Sequence, residues 1–200
     1  AAALHRRLGG YGPRYVWVSI ANLADCVPGR WLDWNTTLFP HGPHYLVRRL
    51  EEYGLKLGLW CAPFWMCAWA TEQEAEMHEA LLRNDDGSPI VVRSEWQFGK
   101  AGETTKAQRP PIYALDPSHP KTLQFLQHTF ETYRRWGIRY CMLDFLHAGA
   151  GSICSYPYGH HHDKNLVAGP EVYHRALQVI RKAAGDDTYI LASTGPTVHN

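Results

Sequence analysis

The chain has 200 residues, 45% of them hydrophobic, and a formal net charge of +1 at neutral pH. That length and apolar content suffice for one domain with a sizeable core, or for a large piece of one. The near-neutral charge, without any block of Lys or Arg, gives no electrostatic reason to expect nucleic acid or an anionic membrane as a partner.

The opening segment AAALHRRLGG has neither an initiating Met nor the apolar region of a signal peptide, so the natural start is expected upstream. No stretch approaches the length of a membrane span. The first apolar run, Tyr15 to Ile20, predicts a strand. The segment after it, SIANLADCVPGRW, lacks the glycine fingerprint of a dinucleotide or phosphate loop.

A helix is expected with Pro43 in its first turn and Gly54 at its end, followed by a strand from Leu55 to Cys61. Trp60, Trp65 and Trp69 come next. Thr71 with Glu74 has the form of a capping box and predicts another helix start. Residues 84–111 form a long polar connection, expected to be a functional excursion or a mobile insert.

Ile112 to Leu115 predicts a third strand, with Asp116 after it in LDPSHP, where a turn residue ahead of a capped helix is the preferred reading. That helix, with Ser118 as its cap, carries Leu123, Leu126, Phe130 and Tyr133 on one face and stops at Gly137. A fourth strand, Ile138 to Leu143, runs into Asp144 and then a loop of small residues, HAGAG. Pro170 marks a further helix that ends at Gly185, before a fifth strand from Thr188 to Ala192.

Helix, glycine and apolar strand thus recur three times. Strands that are apolar throughout are expected to be covered on both faces and to run parallel. The element count is compatible with an open doubly wound sheet or an incomplete barrel. The missing glycine fingerprint and the residue-rich segments after the strand ends favour a partial (β/α)8 TIM barrel, comprising about the first five strands of one domain.

Parallel strands would gather Asn22, Asp25, Trp60, Trp65, Trp69, Asp116 and Asp144 at one mouth. Trp60 and Trp65 could stack on a sugar or simply fill the core. Asp144 leaves a buried strand with no capping pattern around it, which suits a nucleophile or base. His160, His161, His162 and Asp163 are potential metal ligands, but adjacent side chains diverge, so a solvated substrate loop is expected and no metal or other cofactor. The five cysteines, 26, 61, 67, 141 and 154, are odd in number and without CxxC spacing, which fits reduced thiols and a cytoplasmic location.

The blocks DWNTTLFPHGPHYLVRRLEEYGLKLGLWCAPF, YALDPSHP, WGIRYCMLDFLHAGA and YHRALQVIRKAAGDDTYILASTGP resemble, in order, the catalytic barrel of glycoside hydrolase family 36. This is the α-galactosidase (melibiase) and raffinose-synthase-related group. The resemblance runs from about Tyr15 to the end of the chain. It implies a retaining glycosidase acting on oligosaccharide or other glycoside substrates, with Asp144 as nucleophile at the end of the fourth strand. It also implies Trp60 and Trp65 beside the sugar, with Asp33 and Trp34 in the loop that lines it; Asn22, after the first strand, is expected to bind substrate from its position. Retaining chemistry needs a second carboxyl about 5 Å away; the resemblance puts that acid/base Asp beyond residue 200, so the chain is expected to be truncated. A homo-oligomer is possible for the complete protein.

Two departures stand out. Ala21 and Asn22 occupy the place of a paired-Asp motif that binds galactose hydroxyls, and Met142 that of a Lys before the nucleophile. Losing charge-assisted contacts weakens the expectation of galactose specificity. A transglycosylase of the raffinose-synthase type and a non-catalytic sugar-binding barrel are the alternatives.

Overall fold

A computed structural model of the chain describes residues 1–72, 75–150, 160–166 and 171–193. In chain order these form α1 (Ala2–Leu8), β1 (Tyr15–Val18), α2 (Gly42–Glu51), β2 (Lys56–Cys61), β3 (Trp65–Cys67) and α3 (Ala68–Thr71). There follow β4 (Val91–Arg93), β5 (Ile112–Ala114), α4 (Pro120–Trp136), β6 (Tyr140–Leu143), α5 (His147–Ala150), α6 (Glu171–Ala184) and β7 (Tyr189–Ala192). Short 3-10 turns link them. None of the described helices is long and apolar enough to cross a membrane.

Strands β1, β2, β6 and β7 pair in that order, all parallel. Helices α2, α4 and α6 are the three crossovers between them, which gives the βα repeat of a barrel arc. Alternation sorts the side chains by face. Leu57, Leu59, Cys141 and Leu143 point one way and are buried in one core with Leu50, Leu126, Phe130 and Ile180 of the helices. Trp17, Trp60, Tyr140, Met142 and Tyr189 share the register rows of the other face. The ring of Tyr140 fills the place where Gly58 lacks a side chain: a Cβ there would meet Tyr140 Cδ1 at 2.3 Å.

Only β2, at the centre of the sheet, matches the expectation of cover on both faces. The edge strands do not, with Trp17 in β1 and Tyr189 in β7 left 41% and 53% exposed. Gly54, Gly137 and Gly185 do take positive φ. At Gly137 the left-handed turn closes α4 against Val47 of α2.

The segment Ile112–Ala114 departs most from the sequence reading. It is the middle strand of a separate antiparallel sheet, in the order β3-β5-β4, and not a barrel strand. Parallel pairing needs a crossover, usually a helix that packs on the sheet, whereas the described residues between β2 and β5 form no helix longer than the four-residue α3 and a few 3-10 turns. The chain therefore folds back on itself. Asp144 consequently ends the third strand of the parallel sheet, not a fourth.

Two caps also differ. The cap of α4 is His119, whose ring accepts from the Lys121 N–H, while Ser118 gives both its N–H and its hydroxyl to Asp116 Oδ1. Thr71 is the last residue of α3 and donates to the Ala68 carbonyl. Glu74 and Pro170 lie outside the described residues.

Candidate active site

Asp144 stands one residue past β6. Its N–H extends the β2–β6 ladder by donating to the Cys61 carbonyl at 2.9 Å. Its side-chain oxygens are held from two directions: Trp60 Nε1 donates to Oδ2 at 3.0 Å, and the Phe145 N–H donates to Oδ1 at 2.9 Å. Trp60 comes from the adjacent strand, where it pairs in register with Met142, two residues before the Asp. Phe145 reverses the chain with φ at +52°, an uncommon conformation for a residue with a side chain. Two donors on a short planar group fix the orientation of the carboxylate.

The carboxylate faces a cavity of about 330 Å³ at the C-terminal edge of the parallel sheet. The parallel strands and the turns after them contribute Trp17, Ser19, Ile20, Trp60, Met142, Asp144 and Phe145. The opposite wall is the antiparallel excursion, with Trp65, Arg93, Trp96 and Phe98. These aromatics pack on one another: Trp65 stacks on Phe145, and the edge of Trp96 meets Trp65 with centroids 6.0 Å apart. Trp96 is pinned by its Nε1 donating to the Cys26 carbonyl at 2.8 Å. The combination of broad apolar faces and few polar groups suits a small organic ligand with an apolar side, as a pyranose has. A larger groove, of about 440 Å³, lies between α4 and α6; no strand end contributes to its lining.

Of the residues expected around the sugar, Trp60, Trp65 and Asp144 are brought together here. Asn22, Asp33 and Trp34 do not line this cavity. Asn22 is fully buried in the turn after β1, and its side-chain amide has no partner among the described residues. Asp33 is exposed. Trp34 turns away, donating to the Phe39 carbonyl and packing its ring edge-on against Trp136 at the end of α4. Both follow from the loop 22–35, which closes on itself through Ala24–Asp33 and Asn35–Asn22 backbone bonds.

Asp116 behaves as a turn residue. Its Oδ1 takes the two Ser118 donors and its Oδ2 the His162 N–H, which ties the later loop to the start of α4. The three histidines diverge: His160 pairs with Asp85, buried His161 contacts the Gly149 carbonyl, and the His162 ring lies 4.8 Å from that of His119. No group of three or more His, Cys, Asp or Glu among the described residues could hold a metal ion. Burial pushes up the thiols of Cys61, of Cys67 to about 11 and of Cys141 to about 12.

Sequence reasoning passed over Arg93, Trp96, Phe98, Trp17 and Phe145. The signal for the first three was an arginine and two aromatics inside an otherwise polar connection. Trp17 is a large residue that alternation places on the face opposite Val16 and Val18.

No family model matches the sequence. Solved structures do. The α-galactosidase of Thermus thermophilus in complex with stachyose superposes with a TM-score of 0.64 at 25% identity, over 95% of this chain and 36% of that one. An α-xylosidase of glycoside hydrolase family 31 from a soil metagenome gives 0.64 at 16% identity, over 91% of this chain and 25% of its own. A family 36 α-galactosidase from Geobacillus stearothermophilus gives 0.58 at 16% identity, over 90% and 22%. The chain has the fold of part of a glycoside hydrolase TIM barrel. It spans about a third of the length of the Thermus enzyme.

Proposed function

We propose that this chain carries the nucleophile and one side of the sugar pocket of a retaining α-glycosidase, α-galactosidase-like, with Asp144 as the attacking group. The observation that carries the reading is the Asp144 carboxylate, held by Trp60 and Phe145 at the C-terminal edge of a parallel sheet and facing an aromatic cavity. Catalytic groups of barrel enzymes sit at that edge. The neighbours that bind stachyose and nitrophenyl galactoside support a sugar as substrate.

In this reading a carboxylate oxygen attacks the anomeric carbon as the bond to the leaving oxygen breaks. A second carboxyl, which the family resemblance puts beyond residue 200, protonates that oxygen and then deprotonates the water that frees the sugar. The rigid hold on Asp144 lowers the reorganisation required at attack. Buried, protonated thiols fit a reducing compartment such as the cytoplasm.

The test uses the complete protein from its gene. A 2-deoxy-2-fluoro-α-glycoside should label Asp144, identified by mass spectrometry of the peptide 140–150. Asp144→Asn should lower turnover by about four orders of magnitude with an unchanged melting temperature. Label on Asp116 or Asp163, or an active Asp144→Asn, would overturn the assignment. Added acceptor sugar, with product analysis, separates hydrolysis from transfer.

A further inference from the structure

Among the described residues Arg93 is the one cation in the cavity wall, and it makes no ion pair with Asp144, the carboxylate of the same wall. Its Nε donates to the Glu95 carbonyl at 3.1 Å, and its guanidinium carbon lies 5.8 Å from the centroid of the Trp96 ring. Trp96 is itself fixed by Cys26 and Trp65, so the arginine rests on a rigid platform. The carboxylate nearest in sequence, Glu95, is turned elsewhere: its oxygens pair with Arg109 at 3.1 Å and Lys106 at 3.9 Å. No ion pair joins Arg93 to any carboxylate among the described residues, and none of their acceptors takes a hydrogen from its two Nη groups.

A guanidinium on a cavity wall, with Nε anchored and both amino groups without an acceptor among the described residues, can bind an oxyanion through two parallel hydrogen bonds. The rest of the wall strengthens the case. Apart from Asp144 and Ser19 it is aromatic or aliphatic, so an anion at Arg93 would sit in surroundings where water competes poorly.

Resting on the α-glycosidase reading, we infer that the site takes a glycoside bearing an oxyanionic substituent, a carboxylate or a sulfate ester, and that Arg93 binds that substituent. The pyranose would lie between Arg93 on the antiparallel wall and Asp144 on the parallel one, with its apolar face toward the tryptophans. Arg93 is then a specificity residue; the bond-breaking chemistry does not pass through it.

The experiment compares three aryl α-galactosides on the complete protein: neutral, oxidised to the carboxylate at C6, and sulfated at the C6 oxygen. At least one charged substrate should exceed the neutral one in kcat/KM by about tenfold or more, the usual worth of a hydrogen bond to a charged group. Whichever leads distinguishes carboxylate from sulfate. Arg93→Gln should collapse that ratio toward one and Arg93→Lys should restore part of it, with melting temperatures confirming that both variants are folded. Preference for the neutral substrate over both charged ones, or a ratio unmoved in Arg93→Gln, would overturn the inference. If none of the three is turned over, calorimetry with the methyl α-glycosides of the same sugars decides. Binding of a charged glycoside that Arg93→Gln abolishes upholds the anion site while the hydrolase reading falls; no binding, or binding indifferent to Arg93→Gln, overturns the anion site.

Discussion

The indole of Trp65 lies flat on the ring of Phe145, with centroids 4.0 Å apart and planes within 10° of parallel. This contact joins the two sheets. Trp65 belongs to β3 of the antiparallel sheet, and Phe145 follows Asp144 at the edge of the parallel one. A non-glycine residue at positive φ costs about 1 to 3 kcal/mol, and an aromatic stack returns about 0.5 to 1.5 kcal/mol. The stack thus offsets part of the cost of the conformation that aims the Phe145 N–H at Asp144 Oδ1.

Removing the stack should therefore be felt at the carboxylate. In the complete protein, Trp65→Leu should lower kcat by about tenfold to a hundredfold, because small misplacements of a reacting group have large effects. Trp65→Phe, which can still stack, should recover most of the loss. Steady-state kinetics with both variants checks this, and equal kcat for wild type and Trp65→Leu would refute the bracing role.

Trp60 also holds Asp144. Trp60→Phe keeps the ring and deletes the donor, removing a hydrogen bond to a charged group worth about 1.5 to 3 kcal/mol. A fall in kcat/KM of about tenfold to a hundredfold is expected, with thermal stability changed little. A variant as active as wild type would show that the bond is incidental.

Gly58 tests the packing behind the site. A methyl group at this position would overlap the Tyr140 ring and come within 2.9 Å of the Tyr140 Cβ, an atom that moves only with the β6 backbone. Gly58→Ala should destabilise by about 1 to 3 kcal/mol, as overpacking does. The urea midpoint measures it, and a midpoint unchanged in Gly58→Ala would refute the close packing.

The cap of α4 makes a pH prediction. Desolvation lowers the pKa of His119 below 6.5, the nearby His162 lowers it further, and Asp116 opposes them. The ring caps the helix by accepting the Lys121 N–H, which requires a neutral nitrogen. Because the folded value lies below the unfolded one, this stability is present above pH 6.5 and is lost as pH falls through the folded value. His119→Asn caps without titrating, so the drop in urea midpoint between pH 7.5 and 5 should shrink in that variant. An identical drop would assign the acid sensitivity to other groups.

The parts that sequence revealed and the parts it hid have different physics. The helix, glycine and strand units were readable because each element is long enough to display its period, as α4 does with Leu126, Phe130 and Tyr133 buried along one face. The place of Asp144 at the sheet edge was readable because a carboxylate follows directly on a buried apolar run. The antiparallel sheet was not: β3, β4 and β5 have three residues each, too few for alternation to show, and Ile112–Ala114 alone looks like any buried strand. Arg93 and Trp96 were hidden with it. Asp33 and Trp34 came from the family resemblance and Asn22 from its place after the first strand, and the local bonds of the loop 22–35 decide where those side chains go.

The two-sheet construction of the cavity also bears on how such a protein can change. Reactivity rests on β2 and β6, whose residues are interlocked with the helical core, so drift there threatens folding. Selectivity rests largely on residues 91–98, in a short strand and the loop beyond it, with Val91 and Phe98 open to solvent. In the proposed reading, mutational tolerance is therefore highest where substrate choice would be made and lowest where the chemistry would be done. A library randomised at positions 91, 93 and 98, with the buried Val92 and Trp96 kept, should yield altered substrate preference at little expense in folded protein, and on that reading a lineage could explore new glycosides while Asp144 stays in place.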